Sequence, residues 1–281
     1  MALVIGRYFC LALVPLAAAC VPNDDSSKTQ NSQPPTAVPP APKPVPKAVP
    51  PRPPRPAHST TPAPSASVAA SASAAPGPAS DLEAVISERF VDNFDRAQLG
   101  PEYLSTSPVW RIQNGRLCGQ DAKNHGVWLK RRLPVNARIE FDATSASPDG
   151  DLKVEVWGDG HSYATATSYT NASSYVVIFG GWKNQFHVLA RIDEHAPNRP
   201  QVKVDPDGAL NARPVVPNQS YHFKVERTDG KTIRWFVDDI EIISFTDPEP
   251  MKGTGHQHMG FNDWAVPVCF DNLQITPLGG S

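Results

Sequence analysis

Three tryptophans stand among side chains able to hold a hydroxylated ring. Trp157 ends the run Leu152-Lys-Val-Glu-Val-Trp157, where alternation puts it on one strand face with Lys153 and Glu155. Trp182 and Asn184 lie in Gly180-Gly-Trp-Lys-Asn-Gln185, and Arg191, Asp193, His195 and Arg199 follow in Arg191-Ile-Asp-Glu-His-Ala-Pro-Asn-Arg199. Asn262 and Trp264 complete the set in Gly260-Phe-Asn-Asp-Trp264. Indole faces stack against pyranose rings, while amides, carboxylates, guanidinium and imidazole groups catch hydroxyls in a hollow site. Any one of these indoles alone fits core or sheet-edge packing better. Three of them beside polar clusters predict at least one stacking role and a carbohydrate partner.

Other spacings admit other chemistry. Glu140 and Asp142 share one strand face, and a retaining glycosidase needs two carboxyl groups about 5–5.5 Å apart. A solvated strand face is the simpler reading of that pair. His256-Gln-His258 sets two imidazoles on one side of a strand, as two zinc ligands would stand, but no third ligand is marked and loop histidines explain them as well. The formal net charge of -2 excludes a general nucleic-acid binder, which needs a basic face.

The element that must position most of these groups is a hairpin. Two apolar runs, Tyr175–Phe179 and Phe186–Ile192, flank the Gly180-Gly181 turn. In the second run Phe186, Val188, Ala190 and Ile192 alternate with His187, Leu189, Arg191 and Asp193. One face is expected in a core; the other is expected to carry Arg191 and Asp193, with Trp182 and Asn184 at the tip. Around it nearly every segment from Ala84 reads as a short strand followed by a turn. Strands are predicted at Glu88–Phe94, Val109–Gln113, Arg116–Gly119, Val127–Leu129, Ala137–Ala143, Leu152–Trp157, Tyr221–Arg227, Thr232–Val237, Glu241–Phe245, His258–Asn262 and Val268–Ile275 as well as in the hairpin. Asn114-Gly115, Asp149-Gly150, Asp159-Gly160, Asp229-Gly230 and Asp238-Asp239 supply the turns. That pattern predicts an all-β domain over residues 84–281, built as a sandwich of two antiparallel sheets.

The chain before it has a different character. Of 31 prolines, 17 lie between Val21 and Ser80, in Pro/Ala/Ser runs that bury too little apolar surface to offset chain entropy. Residues 20–83 are therefore expected to be a disordered linker. Residues 1–19 carry one charge, Arg7, then an apolar run and Ala17-Ala18-Ala19 before Cys20. This ending resembles the lipobox of bacterial lipoproteins. The resemblance implies an export signal cleaved before Cys20, acylation of that residue (palmitate among the chains) and anchoring to a membrane. Asp is absent immediately after Cys20, which by the same likeness implies the outer membrane, on its periplasmic face or at the cell surface.

The domain opens Phe90-Val-Asp-Asn-Phe-Asp-Arg96. It continues Trp110-Arg-Ile-Gln-Asn-Gly-Arg-Leu117 and Arg138-Ile-Glu-Phe-Asp142, and closes Gly260-Phe-Asn-Asp-Trp264 and Phe270-Asp-Asn-Leu-Gln-Ile275. These motifs resemble the concanavalin A-like lectin/glucanase superfamily, in its laminin-G-like and 3-keto-disaccharide-hydrolase-like branch. The likeness implies a jelly roll with one convex and one concave sheet and carbohydrate in the concave groove. The glucanases of that superfamily carry Glu-x-Asp-x-x-Glu on one strand. Here Glu140 and Asp142 match, but Ser145 replaces the third carboxylate, so binding without catalysis is expected, with a glycoside hydrolase or lyase as the alternative. The likeness also admits a structural calcium ion at Asp92, Asp95 and Asp271, no other cofactor being implied. It brings Cys118 and Cys269 near one another in one sheet, where either a disulfide or two buried thiols would fit.

Overall fold

The computed structural model describes residues 83–279. The segment expected to be an export signal, Cys20 and the Pro-rich run expected to be a linker lie outside the described residues.

Fifteen strands follow one another: β1 (Phe90–Asp92), β2 (Tyr103–Ser105), β3 (Arg111–Gln113), β4 (Arg116–Gly119), β5 (Val127–Leu129), β6 (Ala137–Ser145), β7 (Leu152–Gly158) and β8 (Tyr175–Gly180), then β9 (Phe186–Arg191), β10 (Gln201–Lys203), β11 (Ser220–Arg227), β12 (Thr232–Val237), β13 (Ile240–Thr246), β14 (His258–Asn262) and β15 (Val268–Pro277). They form two antiparallel sheets of a jelly-roll sandwich. An eight-stranded sheet runs β13-β12-β11-β6-β15-β4-β3 with β1 paired along β15, and a seven-stranded sheet runs β10-β9-β8-β7-β14-β5-β2. Two strands escaped the sequence pattern, β2 and β10. They are the two edges of the seven-stranded sheet, each three residues long, too short for alternation to register.

Burial follows the period of two. On β6 every second residue from Ala137 to Ser145 is buried. The inward residues of both sheets meet in one core, where Phe261 stacks on Phe270 with ring centroids 4.4 Å apart and Phe141 on Phe223 at 5.0 Å. Asn114 and Gly115, and Asp238 and Asp239, take positive φ at both central turn positions, the twist that tight hairpins require. Cys118 and Cys269 face each other on β4 and β15 and are joined by a disulfide across a separation of 151 residues. Closing so long a loop restricts the unfolded chain by about 4–5 kcal/mol.

The β8–β9 hairpin departs from expectation. Neither of its faces is open. His187 and Leu189 turn into the sandwich, while Val188 and Ala190 join Val176 and Ile178 in a second apolar cluster beneath Ala164, Tyr169 and Ala172. The covering residues belong to the 159–174 connection, which lies on the outer face of the seven-stranded sheet. Trp128 holds that connection through Nε1–H donated to the Ser162 carbonyl at 3.0 Å.

Candidate functional site

Where the connection stops, the outer face of the seven-stranded sheet opens into a cleft of about 550 Å³. Lys153 and Ile178 form its floor; Trp182, Glu194 and His195 stand on one side, Trp264 on another, and Thr167 and Ser168 of the covering connection close a third.

The backbone around the cleft is left-handed at residue after residue. Gly180 (φ 76) leads into Trp182 (φ 53), Lys183 (φ 59) and Asn184 (φ 60), one turn of left-handed helix between β8 and β9. Against it packs Asp151 (φ 61) with Gly150; a Cβ on Gly150 would stand 2.5 Å from the Gly180 carbonyl oxygen. Ile192 (φ 68), a β-branched residue, and Asn124 (φ 60) adopt the same conformation nearby. Such residues cost on the order of 1–3 kcal/mol each and gather where structure must present a group. Here the strain presents Trp182 and Asp151 to the cleft.

Beneath the cleft is a set of buried charges. Lys153, only 3% exposed, donates from Nζ to Asn124 Oδ1 at 2.6 Å and Glu194 Oε2 at 3.0 Å. Burial works against its ammonium, but Asp151 and Glu194 outweigh that and hold its pKa above the usual lysine value. Burial raises the Asp151 carboxyl, with Lys153 opposing. Asp263 is pushed to about 7 by burial and by Asp151. Glu155 is sealed further back and pushed by burial to about 7, although Ser174 (2.5 Å), Tyr169 (2.9 Å to each oxygen) and Asn262 (2.7 Å) all donate to it.

The residues singled out by sequence separate into two groups. Trp182, His195 and Trp264 line the cleft. His195 meets the Trp182 ring edge-on at 5.5 Å, and Arg199 backs that ring with its guanidinium 4.5 Å from the centroid. Lys123 covers Trp264 at 4.7 Å. The others are turned elsewhere. Trp157 is an extra residue in the β7–β14 pairing, at φ 53, and this bulge swings it off the face of Lys153 and Glu155 into the core. There its Nε1–H donates to the Pro134 carbonyl, and Arg227 lies 4.0 Å over its ring. Asn184 spends its amide on the Pro148 and Val215 carbonyls and the Val215 N–H, fixing the left-handed turn. Arg191 points to the sandwich side, where Nε donates to Asp247 at 2.9 Å. Asp193 accepts the His195 N–H in a local turn, and Asn262 is fully buried against Glu155.

Glu140 and Asp142 do not approach the cleft. They lie on the outer face of the other sheet, where His222 contacts Asp142 at 2.9 Å and Glu140 at 3.7 Å. Nor do Asp92, Asp95 and Asp271 fit calcium. Both Asp92 oxygens are taken by the Arg96 guanidinium (2.6 and 2.8 Å), with the Tyr103 hydroxyl adding 2.7 Å, so a cation would have to displace a cation. Among the described residues no three His, Cys, Asp or Glu converge on a metal position. His256 and His258 instead meet the carbonyls of Ser173 and Leu129. Sequence reasoning missed Asp151 and Glu194, which no motif marks; the Asp149-Gly150 turn was the one available signal.

No family model matches the chain, and no curated protein does. Among solved structures it is similar to the carbohydrate-binding module CBM66 from Bacillus subtilis, at 16% identity over 63% of this chain and 96% of that one, with a TM-score of 0.46. It is similar also to alginate lyase Aly36B, at 9% identity over 69% of this chain and 98% of that one, with a TM-score of 0.46.

Proposed function

We propose that the domain binds carbohydrate in the cleft between Trp182 and Trp264. The observation that carries this reading is the pair of indoles, each with a cation over one face and each lining a cleft whose floor is a preformed set of acceptors and donors around Asp151, Lys153 and Glu194. Sugar rings need a flat apolar surface and fixed polar groups in one place. A glycan array probed with the mature chain tests it. Binding is expected, and Trp182→Ala should weaken it at least about tenfold, equivalent to about 1.4 kcal/mol, without shifting the melting temperature by more than a few degrees. An array with no signal, or one indifferent to Trp182→Ala, refutes the reading. The sequence features at Cys20 extend it: a lipid on that residue and the Pro-rich run would present the domain from a membrane, and Cys20→Ala should abolish labelling by a palmitate analogue.

A second reading, hydrolysis or lysis of a glycan, draws support from Asp151, a cleft carboxyl whose pKa is raised by burial beside Glu194. It requires new reducing ends or unsaturated ends from a bound glycan, lost in Asp151→Asn. Binding is the better supported of the two, because Glu194 is tied to Lys153 and His195.

A further inference from the structure

The cleft does not end at Trp264. A second opening of about 550 Å³ lies beyond it, and Trp264 and Thr167 line both. Tyr163, 44% exposed, stands in this second opening with its ring stacked on His125 at 4.8 Å and 23°. Trp182, Trp264 and Tyr163 therefore follow one another along one path, with the middle ring shared. The polar lining is balanced in charge. Asp149, Asp151 and Glu194 offset Lys153, Lys183 and Lys123, and two of these lysines are paired, Lys153 with Glu194 and Lys123 with Asp121. A uronate or sulfate would find no unpaired cation at the buried floor, and an amine no unopposed row of acids. An uncharged chain, by contrast, needs only platforms and fixed hydrogen-bonding groups.

We propose that the two openings form one groove for an uncharged glycan chain longer than a disaccharide, running from Trp182 across Trp264 to Tyr163. The proposal rests on the cleft reading given above and adds the length and charge class of the ligand. Because Tyr163 lines only the second opening and Trp182 only the first, the two ends of the groove can be separated by experiment. Calorimetry on the full chain would use cello-, xylo-, manno- and N-acetylchito-oligosaccharides of two to six units. At least one series should gain tenfold or more in affinity between two and five units. Tyr163→Ala, and His125→Ala as a second variant, should remove that gain and leave the disaccharide affinity within about twofold; Trp182→Ala should weaken every length. Circular dichroism melting confirms that each variant is folded, and Tyr163 is exposed enough for its replacement to be tolerated. Affinity flat with length, or a gain that survives Tyr163→Ala, overturns the groove while leaving the single-cleft reading intact. Silence of all four series beside an array signal from charged glycans overturns the neutral assignment. Silence of the array as well removes both readings.

Discussion

Strands β6 and β7 are neighbours in sequence and carry the same device on opposite sides of the sandwich. On β6, Glu140 and Asp142 alternate outward; on β7, Lys153 and Glu155 do. Their surroundings then diverge. The β6 pair faces water with His222, whose side chain is 46% exposed, and its charges are shared with a dielectric that screens them. On β7, Glu155 (1% exposed) lies under residues 159–174, where Tyr169 and Ser174 donate to it, and Lys153 (3% exposed) is buried at the margin of that cover between Asn124 and Glu194. What a strand does with an outward charge is thus decided by the connection folded over it, a feature that lies in a different stretch of sequence. Covering one face turned a solvated ladder into a buried charge cluster and left a cleft at its margin.

The sharpest way to break this contrast is Lys153→Met. It leaves Glu194 and Asp151 without their cation inside the protein, so a loss of about 3–5 kcal/mol is expected in denaturant unfolding. The matching change on the other sheet, His222→Ala, should stay within about 1 kcal/mol. Equal effects would mean that the two faces do not differ as described.

Next in size is the buried carboxylate of Glu155. Its folded-state pKa of about 7, like that of Asp263, lies above the ordinary carboxylate value. Between about pH 4 and 7 the folded protein therefore holds protons that the unfolded chain has released, and these two groups lower stability as pH rises through that window. His187 acts in the opposite sense. It is buried and stacked on Phe179 at 4.2 Å, takes the Gly180 N–H on Nδ1 and donates Nε2–H to the Arg213 carbonyl, and burial lowers its pKa to about 4. Its stability contribution is lost as pH falls from its ordinary value of 6.5 toward 4. Glu155→Gln should cost about 1–3 kcal/mol, because an amide cannot accept from Ser174, Tyr169 and Asn262 at once. It should also remove up to one proton's worth of slope, about 1.4 kcal/mol per pH unit, across pH 5–7. An unchanged slope would place Glu155 in water.

Much of the sandwich was legible because β6, β11 and β15 each keep one face in the core and so keep their alternation. The site was legible only where a residue sits beyond a strand end. Trp182, His195 and Trp264 belong to turns and connections and line the cleft as their composition suggested. Trp157 and Arg191 sit within or at the end of strands, and their orientation depends on register. A single bulge reverses Trp157, and on β9 the face expected to be open, that of His187, Leu189 and Arg191, turns to the sandwich side, while Val188 and Ala190 pack under the covering connection as a second core. Asp151 and Glu194 carry no motif, only the neighbouring Asp149-Gly150 turn, because their role comes from Lys153, which meets both only once the sheet and its covering connection are assembled.

The smallest expected effect is also the one that isolates cover as the cause. In Glu140→Gln and Asp142→Asn the carboxylates lost are on the watered face. His222 holds the Asp142 pKa below its usual value, and Asp142 in turn raises that of His222. The pairing therefore contributes between the two: it fades as pH falls through the Asp142 carboxyl and again as pH rises through the raised His222 imidazolium. Because the pair is half exposed, its worth should stay under about 1 kcal/mol at pH 6 and shrink further in 1 M salt, where the Debye length is about 3 Å. Glycan binding should not change in either variant, since both residues stand on the sheet opposite the cleft. Melting curves at low and high salt, with the array repeated on Asp142→Asn, read both at once. A loss of several kcal/mol, or a loss of binding, would show that outward charge on β6 is as deeply engaged as on β7, and the covering connection would no longer explain the difference.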